Sequence, residues 1–122
     1  SVDNMNQGLE MTGEQLGASF NEFTVAGVPY QGMSAHHWWI GSDKEVDPAE
    51  VRRLLDENLR KLNDDYGTER GHALKEVVVE ILPTEKFYNY MRRMGKFGGQ
   101  SKFPRVMNKY QLESWKEFLS SN

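Results

Sequence analysis

The sequence predicts an α+β fold: a small, mostly antiparallel sheet flanked by helices, in a single domain. Three observations carry that expectation. The chain has 122 residues, room for one domain and one hydrophobic core. One long stretch, "DPAEVRRLLDENLRKLNDDYG", repeats its apolar residues with helical period. Three separate runs, "SFNEFTVAGV", "AHHWWIGSD" and "EVVVEILP", have strand character. The elements read in the order α-β-β-α-β-α-α, which fits a sheet covered by helices.

Taken in order, residues 4–16 start as a helix, with Met5, Leu9 and Leu16 on one side. Gly8 and Gly13 count against it, since each costs about 1 kcal/mol relative to alanine inside a helix. A strand is expected from Phe20 to Val28, where Phe23 and Val25 alternate with small or polar residues and Thr24 and Val28 add β-propensity. Pro29 and Gly32 form the expected connection. In the second strand His37, Trp39 and Gly41 fall on one face, and His36, Trp38 and Ile40 on the other.

Asp47 is placed to cap the long helix, Pro48 suits its first position, and Glu50 has capping-box spacing. Val51, Leu54, Leu55, Leu59, Leu62 and Tyr66 form one stripe, and Gly67 is the expected stop. "EVVVEILP" is apolar on both faces, which predicts a central strand. Thr84 is the expected cap of a short helix whose Phe87, Tyr90, Met91 and Met94 share a face, with Arg92 and Arg93 in its last turn. The last helix starts after Asn108 and turns Leu112, Trp115, Phe118 and Leu119 inward.

Composition removes several classes of function. Without cysteine there are no disulfides, thiolate metal sites or cysteine nucleophile, and a reducing compartment is suited. No apolar run approaches a membrane span and no signal peptide opens the chain, so a cytoplasmic protein with no membrane partner is expected. No Ser-His-Asp order, P-loop or dinucleotide fingerprint is present. His36 and His37 point to opposite faces of one strand and cannot chelate one ion together, so no metal site is expected. Asp47 reads as a cap, and Asp64 with Asp65 as the solvated end of a helix.

Charge is unevenly spread. Residues 86–109 hold seven basic side chains (Lys86, Arg92, Arg93, Lys96, Lys102, Arg105 and Lys109) and no acid, so +7 here faces −10 elsewhere. Such segregation reads either as a solvated face or as a site for an anion such as a phosphate or acyl phosphate. Within it lies "GKFGGQSKFPR". Gly95, Gly98 and Gly99 let backbone approach a ligand, Lys102 offers a mobile point charge, Arg105 a planar fork, and Pro104 stiffens the link between them. These parts suit binding a phosphate or stabilising charge that develops on one.

"MRRMGKFGGQSKFPRVMNK" resembles the C-terminal signature of the auxin-responsive promoter family of acyl acid-amido synthetases, whose bacterial members carry glycine-glycine-glutamine, then lysine, then proline-arginine there. "GASFNEFTVAGVPY", "AHHWWI", "LDENLRKLNDDYGTERGHAL" and "FYNYMRRMGKFGGQ" resemble further segments in the same order. The resemblance spans about Gly17 to Arg105, while "SVDNMNQGLEMTGEQL" and the tail match poorly. It implies the small, mobile C-terminal domain of a firefly-luciferase-like adenylating enzyme, with the large N-terminal ATP-binding domain outside this chain. Such enzymes use ATP and Mg²⁺ to convert a carboxylic acid to an acyl adenylate, then transfer the acyl group to an amine such as an amino acid.

Carried onto this chain, the resemblance makes Lys102 the catalytic lysine and Lys96 the runner-up. Gly98, Gly99, Gln100 and Arg105 become its nucleotide- or phosphate-binding supports. The implied partners are the chain's own N-terminal adenylating domain and small acid and amine substrates, and the domain alone is expected to be inactive. Two alternatives stand beside this reading: an anion- or nucleic-acid-binding module, and a non-catalytic relative. Against nucleic acid, no RNA-recognition, KH or helix-turn-helix pattern is visible.

Overall fold

The computed structural model describes residues 1–96 and 102–121. Its elements are α1 (Val2–Leu16), β1 (Phe20–Tyr30), β2 (Met33–Ser42), α2 (Pro48–Leu62), α3 (Asp64–His72), β3 (Leu74–Pro83), α4 (Glu85–Arg93) and α5 (Lys109–Ser120). The strands form one mixed sheet in the order β1-β2-β3, with β1 antiparallel and β3 parallel to β2. The α+β class holds, with one more helix than the sequence reading placed.

The alternation along β2 divides the core into two. Trp38 and Ile40 join Leu9, Phe23, Val25, Val51, Leu55, Leu59, Val77 and Val79 beneath α1 and α2. Trp39 on the opposite face joins Ala26, Phe87, Tyr90, Met91, Phe103, Met107, Trp115 and Phe118 beneath α4 and α5. Each fully buried large apolar side chain is worth roughly 1.5–3 kcal/mol relative to exposure, so both faces are needed to hold the sheet.

The two glycines that count against α1 are where the helix meets its neighbours. A Cβ on Gly8 would lie 2.8 Å from Leu59, and one on Gly13 would lie 2.7 Å from the Ala18 carbonyl. The close approach of α1 to α2 is bridged by buried polar groups. Asn58 Nδ2 donates to Thr12 Oγ1 at 3.0 Å and to Gln15 Oε1 at 2.9 Å, and Thr12 Oγ1 donates to the Gly8 carbonyl at 2.8 Å.

Several expectations are corrected. Pro29 lies inside β1, opposite Ser34, and the connection is only Gln31 and Gly32, both at positive φ. A proline is tolerated there because β1 is an edge strand. The long helix stops at Leu62, not Gly67, because the Asn63 side chain accepts from Asp65 and Tyr66 amides and caps a new helix, α3. Glu50 makes no capping box and pairs with Arg53 instead, although Asp47 does accept from the Ala49 amide at 3.1 Å. β3 lies at an edge of the sheet; its second face is only partly covered, with Val78 39% exposed. Thr84 precedes α4 without a side-chain capping bond. By contrast, Asn108 and Gln111 form a full capping box at α5.

Candidate functional site

The glycine-rich basic segment leaves α4 and returns along β1, and both of its ends are fixed. At the α4 end, Gly95 takes φ +72, its amide donates to the Arg92 carbonyl at 3.0 Å, and the Lys96 amide donates to Met91 at 2.8 Å. This pairing is a Schellman stop. The positive φ that the sequence reading assigned to ligand approach therefore ends the helix at Gly95. Gly98, Gly99 and Gln100 lie outside the described residues.

At the other end, Phe103 is 5% exposed and its ring packs against Phe87, Tyr90 and Trp115 at centroid distances of 5.0, 5.5 and 4.9 Å. Residues 104–107 then lie beside β1. Thr24, which is fully buried, donates its hydroxyl to the Pro104 carbonyl at 2.7 Å. The Val25 amide donates to the Arg105 carbonyl at 2.8 Å, and the Met107 amide donates to the Val25 carbonyl at 2.9 Å. One parallel bridge, Val25 to Val106, covers this part of the β1 edge.

The predicted site residues separate into engaged and exposed groups. Arg105 is engaged: one terminal guanidinium nitrogen donates to Glu22 Oε1 at 2.8 Å and to the Phe23 carbonyl at 2.9 Å, and the group lies 4.7 Å from the Phe23 ring centre. Glu22 and Arg105 are both largely sheltered, at 18% and 29% exposure. Lys102 is exposed and sits directly before buried Phe103. Lys96 is exposed at the α4 end, on the rim of a small cavity of about 150 Å³ lined also by Tyr90, Met91, Met94, Phe103 and Gln111. A larger cavity, about 480 Å³, lies between α1 and the start of β1 and reaches this region only at Arg105.

Along residues 86–109 the chain itself carries cations and no carboxylate. Among the described residues, Arg105 is the one basic side chain of 86–109 that forms an ion pair. Lys86 and Arg93 lie 6.0 and 5.7 Å from the Phe118 ring centre, Arg93 also donates to Ser121 Oγ, and Arg92 donates to Asn89. A segment this rich in cations raises the local concentration of anions.

The histidine pair does divide between the faces. His37 stacks on Trp39 at 3.8 Å and its Nε2 meets Glu80 Oε2 at 2.5 Å. His36 lines a separate cavity with Trp38, Leu59 and Tyr66. Among the described residues, no three His, Cys, Asp or Glu side chains come together as a metal site. Nor is any helix among them long and apolar enough to cross a membrane. Sequence reasoning missed Glu22 and Thr24; the signal available was a carboxylate and a hydroxyl at alternate positions of a strand otherwise apolar between Phe23 and Val28.

The model of the GH3 family C-terminal domain matches residues 3–111. No curated protein sequence matches the chain. Among solved structures, GH3.15 acyl acid amido synthetase is similar with a TM-score of 0.74 at 14% identity, over 98% of this chain and 24% of that one. AtGH3.15 acyl acid amido synthetase in complex with 2,4-DB is similar with a TM-score of 0.67, also at 14% identity, over 94% of this chain and 23% of that one. The chain thus spans about a quarter of the length of the structures it matches, and at that identity the likeness concerns the fold. Over most of its length, the chain belongs to the GH3 family as its C-terminal domain.

Proposed function

We propose that this chain is the mobile C-terminal domain of an ATP-dependent acid–amine ligase, which forms an acyl adenylate and passes the acyl group to an amine such as an amino acid. Family membership supports the reaction class, and the observation that carries the site is Lys102. Its side chain is exposed, next to a residue anchored in the core, in a stretch free of carboxylates. An ammonium so placed offsets negative charge on the α-phosphate as a carboxylate oxygen attacks it and pyrophosphate leaves. Lys96 adds a second cation at the other end of the segment. Arg105, already paired with Glu22, acts on the segment's placement more than on the anion.

The residues present fit part of what the reaction needs. Exposed lysines that form no ion pair among the described residues suit phosphate oxygens, whereas no carboxylate cluster among the described residues suits Mg²⁺. The metal and most of the nucleotide therefore belong to the N-terminal domain in this reading, and the domain alone is inactive.

The test is acid-dependent ATP–pyrophosphate exchange by the full-length protein, over a panel of aromatic and aliphatic carboxylic acids that includes 2,4-DB. Lys102→Ala is expected to lower exchange at least about 100-fold, as loss of one preorganised donor does. Full exchange in the variant would remove Lys102 from the chemistry. Absence of exchange with every acid would count against the ligase reading.

A further inference from the structure

The segment that carries Lys102 is seated on β1 by polar contacts that a surface loop does not need. Thr24 is fully buried, and its hydroxyl is directed to a single carbonyl, that of Pro104, at 2.7 Å. Glu22, two residues earlier, fixes Arg105 at 2.8 Å, and the same guanidinium nitrogen also donates to the Phe23 carbonyl at 2.9 Å. The residue after Thr24, Val25, supplies the backbone pair to Arg105 and Met107. Four consecutive residues of β1 thus hold residues 104–107, while Phe103 is locked among aromatic rings. Lys102 is the first side chain outside this clamp and is exposed.

We infer that Thr24 and Glu22 are positioning residues for Lys102. The inference rests on the ligase reading and extends it to residues that touch neither nucleotide nor acid. Packing alone would accept valine at a buried strand position such as 24. A hydroxyl there fixes the direction of the Pro104 carbonyl, and with it the exit angle of the chain at Phe103 and Lys102. Glu22 holds the Arg105 side chain against the Phe23 ring, so that the segment cannot slide along the strand. A lysine on a four-carbon stem is mobile by itself. Fixing its Cα narrows the volume its ammonium explores, and misplacement of a reacting group by about 1 Å can cost about a hundredfold in rate.

The experiment compares Thr24→Val, Thr24→Ser, Glu22→Gln and Lys102→Ala in the full-length protein. Each is followed by acid-dependent ATP–pyrophosphate exchange and by hydrogen exchange of the peptide covering residues 102–107. Thr24→Val is expected to lower kcat about tenfold or more, with KM for ATP and for the acid within about twofold, and to speed hydrogen exchange in that peptide alone. Thr24→Ser restores both readouts, because it keeps the hydroxyl; a purely structural role would not give this split and rescue. If Thr24→Val lowers the melting midpoint, Glu22→Gln, a near-isosteric change on a partly exposed side chain, decides the matter by the same split.

Wild-type kcat in Thr24→Val and Glu22→Gln, beside a Lys102→Ala variant reduced a hundredfold, overturns the positioning role and leaves the ligase reading standing. Undiminished exchange in Lys102→Ala overturns both the lysine assignment and the role built on it. If wild type activates no acid, the ligase reading and the positioning role fall together, and hydrogen exchange then reports only on the clamp as structure.

Discussion

The two faces of the sheet treat charge in opposite ways. On the α1–α2 face all four arginines of α2 and α3 are paired with carboxylates: Arg52 with Glu76, Arg53 with Glu50 and Glu57, and Arg60 and Arg70 with Asp56. On the α4–α5 face Lys86 and Arg93 lie over Phe118 and Arg92 meets an amide, and none of the three forms an ion pair among the described residues; Arg105, paired with Glu22, lies over Phe23 of the other core. The cores differ in the same sense. The first is mainly aliphatic, with a buried amide–hydroxyl bridge, and the second is built on Phe87, Tyr90, Phe103, Trp115 and Phe118. One face spends its charge on structure. The other takes its rigidity from aromatic rings and leaves Lys86, Arg92 and Arg93 without an ion pair among the described residues.

Truncating the centre of the aromatic face should give the largest effect. Trp115 is fully buried and meets Trp39, Phe87, Tyr90, Phe103 and Phe118 at centroid distances of 4.9 to 6.5 Å. Trp115→Ala should destabilise the chain by about 3–5 kcal/mol in denaturant unfolding. Because Phe103 loses a wall, the residues after Lys102 should also become more open to proteolysis. A loss under about 1 kcal/mol would mean that this face is not held by its rings, and the contrast between the two cores would collapse.

On the other face the corresponding break is Arg70. Its Nε donates to Asp56 at 3.0 Å and its Nη1 to the Leu74 carbonyl at 2.8 Å, while Tyr66 donates to the same Asp56 oxygen at 2.5 Å. Burial raises the Asp56 pKa, but the Tyr66 hydroxyl and Arg70 outweigh it and bring the group below the ordinary carboxylate value. The same contact, with burial foremost, pushes the Tyr66 phenol upward. Arg70→Met leaves a sheltered carboxylate short of a partner and should cost about 2 kcal/mol. Since the folded pKa of Asp56 lies below its unfolded value, its contribution is complete above about pH 4 and is lost as pH falls through the folded value. The variant should therefore lose less stability than wild type on acidification below about pH 4. Equal acid sensitivity would show that the pair contributes nothing.

How much of this was legible in the sequence depends on which physical level set each feature. The α2 stripe, its Asp47 cap and the face alternation of β2 follow from local periodicity and were readable. The break at Asn63 was not read, because Tyr66 falls in phase with the leucines; the clue was an asparagine followed by two aspartates, a helix start inside an apparent helix. β3 was read as central from its valines, whereas strand order is set by long-range pairing that composition does not encode. At the site, Lys102 could be singled out by resemblance and local charge. The engagement of Arg105 by Glu22 joins residues 83 apart in sequence, and no local pattern announces it.

The smallest expected effect separates the faces by pH, through two adjacent histidines. Burial lowers the pKa of His36, with Arg70 adding to it against Glu69. Burial also lowers that of His37, and outweighs the opposing hydrogen bond that its ring donates to Glu80. A folded pKa below the unfolded value of about 6.5 means that the unfolded chain binds more protons in that range. Stability is then complete above about pH 6.5 and declines as pH falls towards the folded values. His36→Gln should flatten that decline from the α1–α2 side, where no carboxylate hydrogen bond holds the imidazole among the described residues. His37→Gln should flatten it too, but at the cost of the Glu80 contact, so its stability near neutral pH should also drop. Melting midpoints at half-unit steps between about pH 5 and 7 distinguish the two. A His36→Gln profile parallel to wild type would show that the aliphatic face does not desolvate its histidine. The division of charge between the faces would then rest on the arginines alone.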